Sequence, residues 1–213
     1  MIIILTGAPG AGKGTQADLV SQRQGFKKIS TGDALRKHIK LGTEVGSRAK
    51  AYMAEGKLVP DEVLLGVLHS ELEAAGKMTV LLDGYPRNVA QAKALSDIVG
   101  RDQIAGAIHL DVNLNVLVDR ISGRRTCSNC AATFHISASP FKEGGRCDRC
   151  SGELVQRPDD TEDKVKVRLA VYEEETRPVL DFYRNLGLYH RVDGNGSTED
   201  VYNALASKLH SIT

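Results

Sequence analysis

Two groups of residues in this chain have types and spacings that could do chemistry. The first is Gly7-Ala8-Pro9-Gly10-Ala11-Gly12-Lys13-Gly14-Thr15. Glycines at that spacing, between a strand and a helix, let backbone N–H groups crowd around phosphate oxygens. The helix N-terminus adds partial positive charge, and Lys13 reaches the β- and γ-phosphates. The residue after Lys13 is Gly14, where a general phosphate loop has Ser or Thr as a magnesium ligand; Thr15 comes next. The second group is Cys127-x-x-Cys130, sixteen residues, then Cys147-x-x-Cys150. Two such knuckles fit a tetrahedral structural zinc site, whose four soft thiolates leave no open position. Two disulfides or four free thiols are the alternatives. His135 lies between the knuckles and, with the shell already complete, is expected to pack with Phe134. The other five histidines have no partner at ligand spacing and are expected at the surface or as filler.

Arginines gather around these two groups. Leu81-Leu82-Asp83-Gly84-Tyr85-Pro86-Arg87 ends an apolar run on a carboxylate, and Asp83 there can hold a hydrated magnesium beside the phosphate loop. Gln91 follows Arg87 by one helical turn. Ser30-Thr31-Gly32-Asp33 has Arg36 one turn on, Arg124 precedes the cysteines, and Arg157-Pro158-Asp159-Asp160 closes them. A lone arginine is usually a solvated surface residue. Several at strand ends beside a phosphate loop point to a polyphosphate ligand.

Those positions need a scaffold that brings strand ends together. Residues 1–6 are an isoleucine-rich run read as a doubly buried strand, followed by the loop and a helix over 13–24. Further strands are expected at 26–30, 78–83, 106–111 and 189–193, and helices near 33–41, 45–55, 61–75, 89–99, 115–123 and 197–210. Alternation of this kind predicts an α/β fold with a doubly wound, five-stranded parallel sheet. Two stretches break it. Residues 30–59 hold two short helices with no strand between them, a small helical insertion. Residues 126–156 lack a long periodic run and form a cysteine-centred subdomain within a 123–160 insertion. The core is then 1–29, 60–122 and 161–213, with 161–185 helical and Pro178 expected to break or kink it.

The chain has 213 residues, 41% hydrophobic and without tryptophan, so its core must be mostly aliphatic. Its 28 basic and 27 acidic residues nearly cancel, which argues against a bulk-charge polyanion binder such as a nucleic-acid protein. No stretch has the length of a membrane span, and the apolar start is too short for a signal peptide. Cysteines confined to one window fit a cytosolic metal site, so a cytoplasmic location is expected.

The motif set resembles adenylate kinase, a nucleoside monophosphate kinase, in the long form whose lid carries zinc. The likeness covers essentially the whole chain: GAPGAGKGTQ at 7–16, STGD at 30–33, LVPDE at 58–62, DGYPR at 83–87, GRR at 123–125, RPDD at 157–160 and VDG at 192–194. Gly14 after the lysine is normal in that family. The resemblance implies a P-loop core, an AMP-binding insertion and a lid, and magnesium-dependent transfer between ATP and AMP to give two ADP. It implies that Gly10, Ala11, Gly12, Lys13, Gly14 and Thr15 hold ATP phosphates, with Thr133, Phe134 and Gly196 by the adenine and ribose. Thr31, Arg36, Lys57, Leu58, Val59, Gly84, Tyr85, Pro86, Arg87 and Gln91 line the AMP site, Thr31 and Gln91 near the base. Lys13, Arg36, Arg87, Arg124, Arg157 and Arg168 are the implied catalytic cations. Tyr85 stands where the family most often has Phe. A monomer acting on nucleotides is expected, with no nucleic-acid or membrane partner. The other readings are a UMP, CMP or GMP kinase, a nucleotide-gated zinc-ribbon binding module, and a docking element on an inactive phosphate-loop fold.

Overall fold

A computed structural model of the protein describes residues 1–137 and 145–213. Part of the expected 123–160 insertion, residues 138–144, lies outside the described residues. The centre is a five-stranded, all-parallel sheet built from β1 (Ile2–Thr6), β2 (Lys27–Ser30), β3 (Val80–Asp83), β4 (Ile104–Asp111) and, last in the chain, β8 (Tyr189–Asp193), in the order β2-β3-β1-β4-β8. β1 is buried along its whole length because helices cover both faces, which is why it reads as an unbroken apolar run. On one face Ile3, Leu5, Leu81, Ile108 and Leu110 pack against α1 (Lys13–Gln24) and the closing helix α9 (Thr198–Ile212). On the other, Ile4, Leu82, Ala107 and Ile29 meet α4 (Asp61–Ala75), α5 (Val89–Val99) and α8 (Arg177–Asn185).

The parallel register brings the polar strand ends into line: Ser30 sits opposite Asp83, and Leu5 opposite Asp83 on the other side. The loop after β1 and the turns after β2 and β3 thus open on one edge, where ligands of open α/β sheets bind. Between β2 and α4 lie two helices with no strand between them, α2 (Thr31–Leu41) and α3 (Glu44–Glu55), hereafter the first insertion. α2 begins two residues earlier than the apolar pattern suggests because Ser30 caps it, accepting from Asp33 N at 3.4 Å. α6 (Leu114–Ser122) leads into the second insertion. That holds a structure the sequence pattern did not predict, a three-stranded antiparallel sheet of β5 (Arg124–Cys127), β6 (Thr133–His135) and β7 (Leu154–Val155). Its strands are too short to show a period.

Pro178 does not break the helix at its own position. α7 (Glu162–Val171) runs into a π turn at Tyr172–Thr176, and Pro178 then lies in the first turn of α8. A proline ring clashes with the carbonyl four residues back and offers no N–H to it, so the preceding turn widens. That turn carries two inward contacts. Thr176 Oγ1 donates to the carbonyl of Arg87 at 2.8 Å, and the Tyr172 hydroxyl lies 3.1 Å from His109 Nε2. His109 is therefore not the surface or filler residue expected: it is buried in β4, with the Tyr189 hydroxyl 3.3 Å from Nδ1.

Burial, reinforced by Lys13, Arg191 and Arg177 against the pull of Asp111, pushes the His109 pKa down to about 4. An exposed histidine titrates near 6.5, so acid favours the unfolded chain here. The stability tied to neutral His109 is fully present above about pH 6.5 and lost as pH falls towards 4. Urea unfolding of wild type should lose about 2 kcal/mol more between pH 7 and pH 4.5 than His109→Gln does. Equal losses would show that His109 is not held neutral by the fold.

Candidate active site

The loop after β1 and the N-terminus of α1 form the floor of a cleft of about 680 Å³ between the core and the two insertions. Gly12 precedes the helix at φ 90°, and Gly10 has φ 84°, a region L-residues rarely occupy. A Cβ on Gly10 would also sit 2.8 Å from Ile121 Cγ1. Both facts explain glycine there. The first-turn amides of α1 have no intrahelical acceptor and face the cleft. Lys13 Nζ donates to the carbonyls of Gly7 and Ala8, at 2.7 and 3.0 Å, folding back over its own loop. Burial, then the neighbouring Arg87, Arg168 and Arg124, bring its pKa down to about 8 in spite of Asp83.

Asp83, at the end of β3, is 8% exposed. Its carboxylate makes no hydrogen bond and no ion pair among the described residues. A buried, unpaired carboxylate beside a phosphate loop fits a site for a hydrated divalent cation. Lys13, Lys28 and Arg87 act on Asp83 only through space.

Above the floor five arginines converge from five segments. Arg36 rises from α2, Arg87 from the turn after β3, Arg124 from the start of β5, Arg157 from the lid's second root, and Arg168 from α7. Arg87 is held by Nε donating to Gly84 O at 2.8 Å and by its backbone N–H donating to Gln91 Oε1 at 2.7 Å. Burial, then Arg168, push its pKa down to about 10; burial, then Arg36 and Arg124, push Arg157 to about 9. Arg168 is shifted down as well, chiefly by burial. All remain charged at neutral pH, so the shifts describe crowded, dehydrated cations that a polyanion would relieve.

Carboxylates space these cations out. Asp160, fully buried, accepts from Arg124 Nε at 2.8 Å and from Arg124 Nη2, and from Arg168 Nη1 at 3.0 Å. Asp159 takes Arg168 Nη1 at 2.8 Å. Asp33 takes Arg36 at 2.6 Å, Lys28 at 3.6 Å and Arg157 at 3.9 Å. Burial alone would raise the Asp33 pKa; Arg36, Lys28 and Arg157 hold it down at about 2. Sequence reasoning assigned no role to Asp33, Asp159 or Asp160 individually, although two quoted motifs contain them. Arg120 was also missed; it lines the cleft next to Gly196 and donates to Gly194 O at 3.2 Å. The signal available was its place near the end of the helix that leads to Arg124.

The residues expected around the AMP divide into two sets. Gly84, Lys57, Leu58 and Val59 border the cleft with Arg36 and Arg87. Thr31, Tyr85, Pro86 and Gln91 do not line it. Thr31 Oγ1 donates to Gly84 O at 2.9 Å, and Gln91 Nε2 donates to Asp61 Oδ1 at 2.6 Å, both one layer behind the wall. Tyr85 is 1% exposed and belongs to the aliphatic core, its hydroxyl donating to Gln91 O at 3.3 Å. Thr133 and Phe134 from β6 and Gly196 after β8 line the far end of the cleft.

In the lid all four Sγ atoms lie within 4.8 Å of one another, with Cys127–Cys150 at 3.5 Å and Cys130–Cys147 at 3.6 Å. A tetrahedron with metal–sulfur bonds of about 2.3 Å has edges of about 3.8 Å, and a disulfide is about 2.05 Å. The four cysteines are free and could hold one metal ion. The two knuckles repeat one geometry. Ala131 N donates to Cys127 O and Ser151 N to Cys147 O, and Ala131 and Ser151 share φ values of 60° and 59°. His135 Nε2 lies 3.2 Å from Asp119 O on α6, and its ring covers Gly123 so closely that a Cβ there would meet it at 2.3 Å. The lid also touches the first insertion, Lys40 Nζ donating to Ser128 O at 3.1 Å.

The family model described as adenylate kinase matches residues 5–188. The chain is similar to the adenylate kinase of Geotalea daltonii, 46% identical over 213 residues, covering 98% of this chain and 99% of that one. It is 44% identical over 215 residues to that of Archaeoglobus fulgidus, covering 100% and 99%. The figures for Thermodesulfovibrio yellowstonii are 43% over 212 residues, 98% and 99%. A match of that extent to a site with this loop and these arginines has one meaning: the chain belongs to the adenylate kinase family.

Proposed function

We propose that the protein transfers the γ-phosphoryl group of ATP reversibly to AMP, giving two ADP. The observation that carries this reading is the convergence of Lys13, Arg36, Arg87, Arg124, Arg157 and Arg168 on one cleft whose floor is the phosphate loop. ATP phosphates lie along the loop amides, and Lys13 turns from the Gly7 and Ala8 carbonyls to them. Arg36 and Arg87 grip the AMP phosphate, their planar forks matching pairs of oxygens. An AMP oxygen attacks the γ-phosphorus in line, the bond to the β–γ bridging oxygen breaks, and the bond pair leaves with ADP. Arg124, Arg157 and Arg168 spread over the moving charge. The nucleophile is already an anion, so no general base is needed. Magnesium, when bound with ATP, supplies further charge neutralisation, and Asp83 would hold its water shell.

Water exclusion falls to the two insertions, which meet where Lys40 Nζ donates to Ser128 O. The choice of AMP over other acceptors rests on Thr31 and Gln91, which the family likeness puts near the base. All six cations come from one chain, so a monomer suffices. Four free cysteines suit the reducing cytoplasm. No helix among the described residues is long and apolar enough to cross a membrane.

We also assign zinc to the four thiolates. Four soft ligands at tetrahedral spacing favour it, and a full shell makes the ion structural. It joins two knuckles whose own apolar cluster is small: Cys127, Ala132 and Cys147, with Phe134 and Leu154 beside them.

A coupled ADP assay tests the activity. AMP should exceed UMP, CMP and GMP as acceptor by about tenfold or more in catalytic efficiency. In the same assay Arg87→Ala should slow turnover about a hundredfold with the fold retained, roughly 3 kcal/mol of transition-state stabilisation. Arg87→Lys should recover only part of this. Equal rates with UMP, or a near-normal alanine variant, would contradict the reading. Metal analysis should find one zinc per chain. Cys147→Ser should lose it and loosen the lid in hydrogen exchange while the central sheet stays protected. Full metal content in that variant would overturn the assignment.

A further inference from the structure

One buried cation of the cleft takes no part in the transfer proposed above. Lys28 lies on β2, two residues before Ser30 and so on the same face, and its side chain is 18% exposed. Its ammonium donates to Asp18 Oδ1 of α1 at 2.8 Å and to the carbonyl of Gly14 at 3.5 Å, and stands 3.6 Å from Asp33 Oδ2 of α2. Asp83 of β3 approaches the same glycine. A Cβ built on Gly14 would be 4.0 Å from Lys28 Nζ and 3.8 Å from Asp83 Oδ2. Three carboxylates from three elements thus surround the segment where the loop becomes α1, and Lys28 is the fixed cation among them.

We propose that Lys28 sets how strongly nucleotide binding depends on the accompanying divalent cation. The inference rests on the reading above, in which ATP lies on the phosphate loop and Asp83 faces the metal's water shell. Asp18, Asp33 and Asp83 put negative charge around the foot of the loop, which favours a divalent cation beside it through space. The Lys28 ammonium engages the first two, leaving Asp83 as the one carboxylate of the three without an ion pair. It also places a like charge on the metal side of the loop, which opposes a divalent cation and favours metal-free ATP. Lys28 is therefore a positioning residue that acts through the charge of this cluster, not a group that moves with the phosphoryl transfer.

The test is calorimetric and needs no turnover. Dissociation constants for ATP in excess chelator and for ATP in excess magnesium are measured on the full-length protein, and their ratio gives the metal preference. Lys28→Gln should raise that preference about tenfold, weakening metal-free ATP and tightening the magnesium complex. Lys28→Arg, which keeps the charge, should stay within about twofold of wild type. Asp18→Asn should move the preference the opposite way, about threefold, because the ammonium is then less compensated. A purely structural role would shift both constants together and leave the ratio alone. An unchanged ratio in Lys28→Gln, or an equal shift in Lys28→Arg, would overturn the proposal. Should Lys28→Gln fail to fold, Asp18→Asn decides independently, and an unchanged ratio there overturns the proposal as well. Wild type that binds ATP under neither condition would instead refute the kinase reading, so the two failures are distinguishable.

Discussion

The arrangement of the whole molecule depends on mutual repulsion among buried cations. Lys13, Arg36, Arg87, Arg124, Arg157 and Arg168 face one cleft that Lys28, Lys57, Arg120 and Arg149 also line, and four of the arginines, Arg36, Arg124, Arg157 and Arg168, pair directly with the carboxylates of Asp33, Asp159 and Asp160. Asp160 is the most enclosed of these, at 0% exposure, and joins the two roots of the lid through Arg124 and Arg168. Its partners lie on β5 and α7, with the entire metal-bearing insertion between them in the chain. Breaking a buried ion pair by removing one partner typically costs about 3–5 kcal/mol because the other charge is left without compensation. The protein therefore carries, in its free state, an excess of positive charge that only a polyanion completes.

Each element has a place in holding that charge. The parallel sheet brings three strand ends to one edge, so the loop, Ser30 and Asp83 face the same space. The π turn before Pro178 lets Thr176 bind the carbonyl of Arg87, so a distortion in a distant helix fixes a cation in the site. The lid sheet is too small to stand alone, and its two matched knuckles give it a common anchor in the four sulfurs. His135 then fastens it to α6. Arg124, Arg157 and Arg168, from three elements, line the same cleft, a convergence that suits alignment chemistry.

Much of this was legible in the sequence because the strongest patterns belong to the parts with the most repetitive physics. The isoleucine run of β1, the glycine spacing and the two cysteine pairs each follow from local chemistry. Asp160 was not legible as a ligand of two arginines, since its partners lie 36 and 8 residues away and an exposed aspartate looks the same in sequence. Lys28 shares its dipeptide with Lys27, and only strand alternation separates the residue that faces the cleft. The lid strands, two to four residues each, leave no period to read. Thr31 and Gln91 could be named from motifs, but that they lie behind the cleft wall follows from tertiary packing alone.

The central claim is that an anionic ligand supplies the counter-charge this cation cluster lacks. Asp160→Asn tests it, because the variant removes a negative charge without adding volume. Melting temperatures of wild type and variant are compared with and without saturating ADP. The account predicts a clearly lower melting temperature for the free variant, and a larger rise on adding ADP than wild type shows. An equal deficit with and without ADP would contradict it.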